Sequence, residues 1–174
     1  MRLFVAIDLD EEDYFKQIQG QLPKIKGSFP KTFHLTLKFL GETGKKDAII
    51  KKLEKIRFKP FKLKTTKMGV FPSDNYIRVV WLGLNENKDL MKLQEDIEKS
   101  LEEFNFKKDF DFHPHITLAR VKFIPDKKGF IDKVKQINIE EKGFEVKEFK
   151  LIKSELTRER PIYEDIKTYT AISK

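Results

Sequence analysis

One short pattern occurs twice in this chain and constrains the fold more than any other feature. Phe33-His34-Leu35-Thr36-Leu37 is matched by Pro114-His115-Ile116-Thr117-Leu118, about half a chain length later. In each copy polar and apolar residues alternate, which is typical of a β-strand with one face in the core. A chain that presents the same half-buried strand twice is expected to fold as two related halves.

The same order of elements is predicted around both copies of the pattern. Alternating or β-branched runs predict strands at 3–9, 34–39, 61–68, 76–84, 115–120, 144–151 and 163–172. Apolar stripes at helical spacing predict four helices, with stripes at 15–22, 49–56, 90–104 and 130–137. We expect Asp10 to cap the first helix and Pro23 to stop it. Gly69 and Pro72 are expected to end the strand at 61–68.

The order of elements is therefore β-α-β-α-β twice, followed by one more strand. The internal repeat covers about 2–69 and 76–151, and the extra strand covers 163–172. No low-complexity linker separates the repeats, so we predict one domain over 1–174. We expect two lobes related by a pseudo-twofold axis, in a layered α/β or α+β arrangement.

Composition limits the possible partners and sites. The chain has 36 Lys and Arg against 28 Asp and Glu, a net charge of +8, which is compatible with a polyanionic partner. It has no cysteine, which excludes disulfides, zinc ribbons, iron–sulfur clusters and cysteine nucleophiles. No apolar run approaches the roughly 20 residues of a membrane span. We expect a cytoplasmic monomer that does not bind membranes.

The two motifs contain the candidate catalytic residues. Residues i and i+2 of a strand share a face, so each His points with its Thr while the residue between them points to the core. Two imidazoles and two hydroxyls around one cleft suit a phosphate diester. One neutral imidazole takes a proton, one imidazolium gives a proton, and the hydroxyls donate to phosphoryl oxygens. At this point a duplicated scaffold with incidental polar faces remains an equal alternative.

The paired motifs resemble those of the two-histidine phosphoesterase superfamily. Within it, the chain is most similar to the RNA 2′,3′-cyclic phosphodiesterase family, also called 2′-5′ RNA ligases. The similarity covers nearly the whole chain and is strongest at residues 2–7, 33–42, 112–120, 154–156 and 161–163. One departure is Arg160, since family members often have Gly before the corresponding proline.

The resemblance implies an α+β fold with two pseudo-symmetric lobes. Each lobe would be a mainly antiparallel sheet with helices on its outer face, and the active-site cleft would lie between the sheets. It also implies hydrolysis of RNA 2′,3′-cyclic phosphate ends to 2′-phosphates without metal or cofactor. By resemblance, His34 is the proton donor and His115 the proton acceptor. A 5′-hydroxyl in place of water would give a 2′-5′ linkage. The partner would be an RNA with a cyclic phosphate end, tRNA-like fragments included.

Five further side chains are predicted to contact the substrate. Thr36 and Thr117 would bind the phosphate. Arg120 contacts substrate in the family, yet strict alternation turns it away from His115, so a bulge must re-aim it. Lys38 shares the parity of the first motif and would reach the phosphate or backbone. Tyr163 would stack on a base.

Three alternatives stay open. A metal site would use His34, His113 and His115 with Asp109 or Asp111 as a carboxylate ligand. A non-catalytic module would bind RNA by shape and stacking. A third alternative keeps the chemistry but acts on small cyclic nucleotides.

Overall fold

The computed structural model describes residues 1–109 and 111–173. This part of the chain contains four α-helices, α1 Glu12–Gly20, α2 Lys46–Leu53, α3 Lys88–Ser100 and α4 Lys127–Gln136. Its nine strands are β1 Arg2–Asp8, β2 Lys26–Ser28, β3 His34–Glu42, β4 Phe61–Ser73, β5 Tyr76–Leu84, β6 His115–Phe123, β7 Gly143–Val146, β8 Glu148–Leu156 and β9 Pro161–Thr170. In these ranges, no helix has the length and apolar character that crossing a bilayer requires.

The strands form one antiparallel sheet in the order β7-β4-β5-β6-β3-β1-β8-β9, with β2 paired to β6. The half β9-β8-β1-β3 has the same arrangement as the half β7-β4-β5-β6. The halves meet where Leu35 of β3 pairs with Ile116 of β6. The predicted α+β fold is thereby confirmed.

The two halves of the sheet do not correspond fully to the two sequence repeats, because each half contains a strand from the other repeat. β4 belongs to the first repeat but pairs with β5 and β7. β8 begins within the second repeat but pairs with β1. The boundaries of the predicted repeat stay a prediction, while the exchange explains how both repeats contribute to each half of the sheet.

All four helices cover the same face of the sheet. The apolar residues of α1, α2 and α3 pack with Leu3, Val5 and Ile7 of β1 in the main core. α4 packs with the neighbouring strands β5 and β6 in a second, smaller cluster. Full burial of one such Leu or Ile side chain contributes about 1.5–3 kcal/mol. The opposite face, called the site face below, carries the polar residues of both motifs.

Several element boundaries differ from the sequence prediction. The first helix has Glu11 rather than Asp10 at its N-cap, and no side chain caps it. β4 does not end at Gly69 but continues through Pro72, because β5 supplies backbone partners as far as Ser73. The predicted strand 144–151 is two strands, β7 and β8, which pair with different halves of the sheet. β2 was missed because it is short and its residues are all exposed.

Candidate active site

The pairing of β3 with β6 brings the two motifs together. Leu35 and Ile116 are opposite each other and fully buried, at 0% exposure. Each lies between the His and the Thr of its own motif. In an antiparallel pair this register directs His34 toward Thr117 and Thr36 toward His115. These four polar side chains are half-buried, so they form a compact polar group on the site face.

A β-bulge in β3 removes Lys38 from this group. Val5 pairs with Lys38 and Ala6 pairs with Thr36, which leaves Leu37 without a partner. After such an extra residue the alternation of faces shifts by one. Lys38 therefore points toward the helices, and its side chain is only 3% exposed. The prediction that Lys38 shares the face of the first motif is wrong for this reason.

Lys38 instead forms a buried ion pair beneath the sheet. Its Nζ lies 2.8 Å from Glu98 Oε2 on α3 and donates to the carbonyl oxygen of Lys107 at 3.1 Å. Gln94 also donates to Glu98 and to the backbone of β3. The lysine therefore connects α3 to the sheet on the side away from the site.

A matching bulge in β6 turns Arg120 toward the histidines. Val80 pairs with Ala119 and Trp81 pairs with Thr117, so Leu118 has no partner. Ala119 is buried, and Arg120 is exposed. This is the re-aiming bulge that the sequence required for Arg120.

The charge of Arg120 acts on three groups of the site face. Burial is the main influence on these groups, lowering the pKa of His34 and of His115 and raising the pKa of Tyr163, and the Arg120 cation acts to lower the pKa of each. The bulge in β6 is the geometric reason, because it places Arg120 on the same face as His115 and Thr117. A fixed cation there is suited to a bound phosphate.

His115 is oriented by the backbone. Its Nδ1 lies 2.6 Å from the carbonyl oxygen of His113. A carbonyl only accepts, so Nδ1 carries the proton and Nε2 is left with a free lone pair. Burial lowers the pKa of His115, whereas the hydrogen bond to the His113 carbonyl raises it. The ring packs against Phe71 at 5.1 Å and against Trp81 at 6.2 Å between centroids.

His34 lies between two aromatic rings. Phe4 and Tyr163 have centroids 5.1 Å from the imidazole, and the Tyr163 ring is nearly perpendicular to it. Burial lowers the pKa of His34, while the carboxylate of Asp8, its neighbour on β1, raises it. The charge of Asp8 therefore favours the protonated form that burial disfavours.

An ion-pair network behind His34 holds Asp8 in place. Lys150 Nζ lies 2.7 Å from Asp8 Oδ2 and 2.8 Å from Asp165 Oδ2. The two carboxylates raise the pKa of Lys150. Sequence reasoning missed this network, because its members come from three strands that are distant along the chain.

Trp81 was also missed, although it is the single tryptophan of the sequence. Its ring packs against His115 and Phe71. Among the described residues, its Nε1 is the one buried side-chain nitrogen or oxygen without a hydrogen-bond partner. The rings of Trp81 and Phe71 together form an apolar wall beside His115.

The residues of the metal-site alternative do not form a ligand group. His113 points to Asp111 at 3.2 Å, and its side chain is 64% exposed. Within residues 1–109 and 111–173, no three His, Asp or Glu side chains are placed to share a metal ion. The β3–β6 register instead places each motif His opposite the Thr of the other motif.

Comparison with known proteins places this chain in a family. The profile of the 2′-5′ RNA ligase superfamily matches residues 16–158. The chain belongs to this superfamily. The resemblance inferred from the paired motifs is confirmed by this match.

Relatives of known name align over almost the full chain. The RNA 2′,3′-cyclic phosphodiesterase of Methanocaldococcus jannaschii is 40% identical over 97% of this chain and 100% of its own length. The protein of the same name from Archaeoglobus fulgidus is 35% identical over 97% of this chain and 99% of its own. The names of these relatives and the name of the superfamily both describe reactions of RNA phosphodiester bonds.

Solved structures share the fold. TT0787 of Thermus thermophilus has a TM-score of 0.80 and 27% identity, covering 98% of this chain and 97% of its own. Escherichia coli LigT in complex with 3′-AMP has a TM-score of 0.78 and 28% identity, covering 99% and 98%. The shared fold thus extends over nearly the whole chain.

Proposed function

We propose that this protein hydrolyses RNA 2′,3′-cyclic phosphate ends to 2′-phosphomonoesters. The observation that carries the proposal is the joining of both His/Thr motifs at the Leu35–Ile116 pair, with Arg120 turned to the same face. Two proton-transfer groups and three phosphate-binding groups then converge on one site. Relatives named as RNA 2′,3′-cyclic phosphodiesterases support this substrate class.

The proposed reaction uses one histidine for each proton. Nε2 of His115 accepts a proton from water as the water oxygen bonds to phosphorus. The bond from phosphorus to the 3′ oxygen breaks, and the His34 imidazolium donates its proton to that oxygen. Thr36 and Thr117 donate hydrogen bonds to the non-bridging oxygens. The product is a 2′-phosphomonoester beside a free 3′-hydroxyl.

The surroundings of the two rings support this assignment of roles. The Nδ1–H of His115 is held by the His113 carbonyl, so its Nε2 lone pair faces outward as a base requires. Burial lowers the pKa of His34, and the carboxylate of Asp8 opposes this effect by favouring the protonated form that an acid requires. The near-symmetric motifs are thus made unequal by their neighbours.

The same site would also join RNA ends. When the 5′-hydroxyl of a second RNA replaces water, its proton passes to His115 and its oxygen bonds to phosphorus. The 3′ oxygen leaves as before, and the product is a 2′-5′ linkage. The reverse reaction follows with the two roles exchanged: His34 accepts the proton of the 3′-hydroxyl, and His115 donates a proton to the leaving 5′ oxygen. We further propose that the protein acts as a cytoplasmic monomer without a cofactor.

Product analysis tests the proposal. An oligonucleotide ending in a 2′,3′-cyclic phosphate is incubated with the protein, with and without a strong chelator, and the 2′- and 3′-phosphate products are separated. We expect the 2′-phosphate in both samples. A 3′-phosphate product, or activity lost to the chelator, would contradict the mechanism.

Two alternatives are separated by the same assay. RNA binding without turnover, retained in the His34→Ala/His115→Ala double variant, would favour a non-catalytic module. Faster hydrolysis of free 2′,3′-cyclic mononucleotides than of the oligonucleotide would favour a phosphodiesterase of small cyclic nucleotides.

A further inference from the structure

We propose that a track along the β8–β9 hairpin binds the RNA strand next to the reacting end. The hairpin track consists of Arg2, Tyr163, Arg158 and Arg160, and its three arginines would contact backbone phosphates. The inference rests on the proposed function, since it concerns how the same site selects an RNA chain over a mononucleotide.

The first observation is the different use of lysine and arginine. The chain has 30 Lys and six Arg. In the described ranges, the ion pairs are made by lysines, the amino terminus and His113, and none is made by an arginine. Thirteen of the 30 lysines are paired with an acidic group in this way. The guanidinium groups have no acidic partner there.

Two of the six arginines make local contacts, and the other four are candidates for binding phosphate. Arg57 donates to the backbone carbonyls of Glu54 and Ile56. Arg78 lies over the ring of Tyr76. The other four are Arg2, Arg120, Arg158 and Arg160, and all four belong to β1, to the β8–β9 hairpin or to the site itself.

The strand register leads from His34 to the hairpin tip. Tyr163 contacts both His34 and Phe4, at 5.1 Å and 5.6 Å between centroids. Ser154 pairs with Tyr163 on one side and with Arg2 on the other. Arg2 shares the parity of Phe4 on β1, so it extends over the site face.

The tip continues the same line. Leu156 pairs with Pro161, and the turn is closed by hydrogen bonds between Thr157 and the backbone of Arg160. Arg160 precedes Tyr163 by three positions, a distance of about 10 Å along a strand. The side chains of this tip are exposed. A strand of RNA leaving the site past Tyr163 would therefore reach the tip within a few nucleotides.

The chemistry of the hairpin track fits single-stranded RNA. Guanidinium groups bind phosphate oxygens in pairs, and an exposed tyrosine ring stacks on a base. Glu159 lies between Arg158 and Arg160, so the tip carries a net charge of +1, and Arg2 raises the track to +2. The cyclic phosphate occupies the last nucleotide, so the rest of the strand must leave the site in one direction.

The test compares two substrates. Hydrolysis of a cyclic-phosphate octanucleotide and of 2′,3′-cyclic AMP is measured for the parent and for the Arg2→Gln/Arg158→Gln/Arg160→Gln variant. We expect KM for the octanucleotide to rise about 10-fold or more, since single phosphate contacts contribute modestly but together. The slope of log(kcat/KM) against log salt should flatten by about 2, at about 0.7 for each phosphate contact. Turnover of the mononucleotide should not change.

The matched control removes the same charge elsewhere. Lys51→Gln/Lys55→Gln/Lys59→Gln changes three cations of α2 and the segment after it. This control variant should hydrolyse both substrates with the KM and kcat of the parent. An equal loss in the control would overturn the track, because it would show a general charge effect. An equal loss on the mononucleotide would overturn it too, because the arginines would then serve the reacting centre.

Failure of the proposed function gives a different result. If the parent hydrolyses neither substrate, fluorescence anisotropy with the same octanucleotide still measures binding. Weaker binding by the arginine variant, but not by the lysine control, would support the track. Equal binding by all three proteins would refute it.

Discussion

Arg120 and Phe39 occupy equivalent positions in the two halves of the sheet, each five residues after the histidine of its motif. Both follow a bulge, and both lie on the site face. Phe39 is 62% exposed, and its ring lies 6.0 Å from Phe4. One half thus offers an aromatic surface where the other offers a cation. This difference makes a nearly symmetric site electrostatically asymmetric.

Replacing Arg120 with Gln should weaken phosphodiester binding and shift the pH profile upward. Loss of a charged hydrogen-bond donor costs about 1.5–3 kcal/mol, so kcat/KM should fall roughly 10- to 100-fold. The cation lowers the pKa of His34 and His115, so both limbs of the kcat/KM profile should move to higher pH. The measurement is kcat/KM across the acidic and alkaline limbs. Limbs at unchanged pH would show that Arg120 is distant from the rings.

Replacing Asp8 with Asn should move only the alkaline limb, and to lower pH. The carboxylate raises the pKa of His34, so its removal makes the imidazolium lose its proton earlier. Activity that needs protonated His34 then declines at lower pH, while the acidic limb set by His115 stays. Asp165→Asn is the matched control, since it also loses a Lys150 partner but is not among the charges acting on His34. A shift of the acidic limb instead would reverse the assigned roles.

Removal of either motif imidazole should abolish most turnover without unfolding the protein. His34→Ala and His115→Ala should each lower kcat by at least about 10²-fold, the usual scale of general acid–base catalysis. Thr36→Val and Thr117→Val should each cost roughly 10- to 10³-fold through loss of one donor to the phosphoryl oxygens. Thermal melting of all four should stay near that of the parent, because these side chains are on the site face. Near-normal turnover by His34→Ala would contradict the proposed mechanism.

Replacing Lys38 with Met should reduce stability and leave KM unchanged. The variant leaves Glu98 without its cation under the sheet, which costs about 3 kcal/mol or more in the free energy of unfolding. Urea denaturation and KM for the cyclic-phosphate oligonucleotide are the two measurements. The double variant Lys38→Met/Glu98→Leu should recover much of the stability, because an apolar pair replaces the ion pair. A raised KM with unchanged stability would contradict this prediction and indicate that Lys38 contacts the substrate.

Much of this protein was predictable from local patterns. The strand at 76–84 has the predicted bounds, and the apolar stripe from Leu90 to Ile97 forms α3. The motif strands direct each His and Thr to one face because a strand alternates with period 2. Such features depend on residues close together along the chain, so the sequence by itself determined them.

The remaining features were decided by tertiary structure. The bulges at Leu37 and Leu118 depend on how β1 and β5 pair with the motif strands, and they reverse the faces of Lys38 and Arg120. The Lys150 network requires strands that are distant along the chain to become neighbours. Pairing register is set by the packing of the whole sheet, and no local pattern contains it. The sequence alone therefore determined which residues form the candidate site, and the fold determined which neighbours lie beside them.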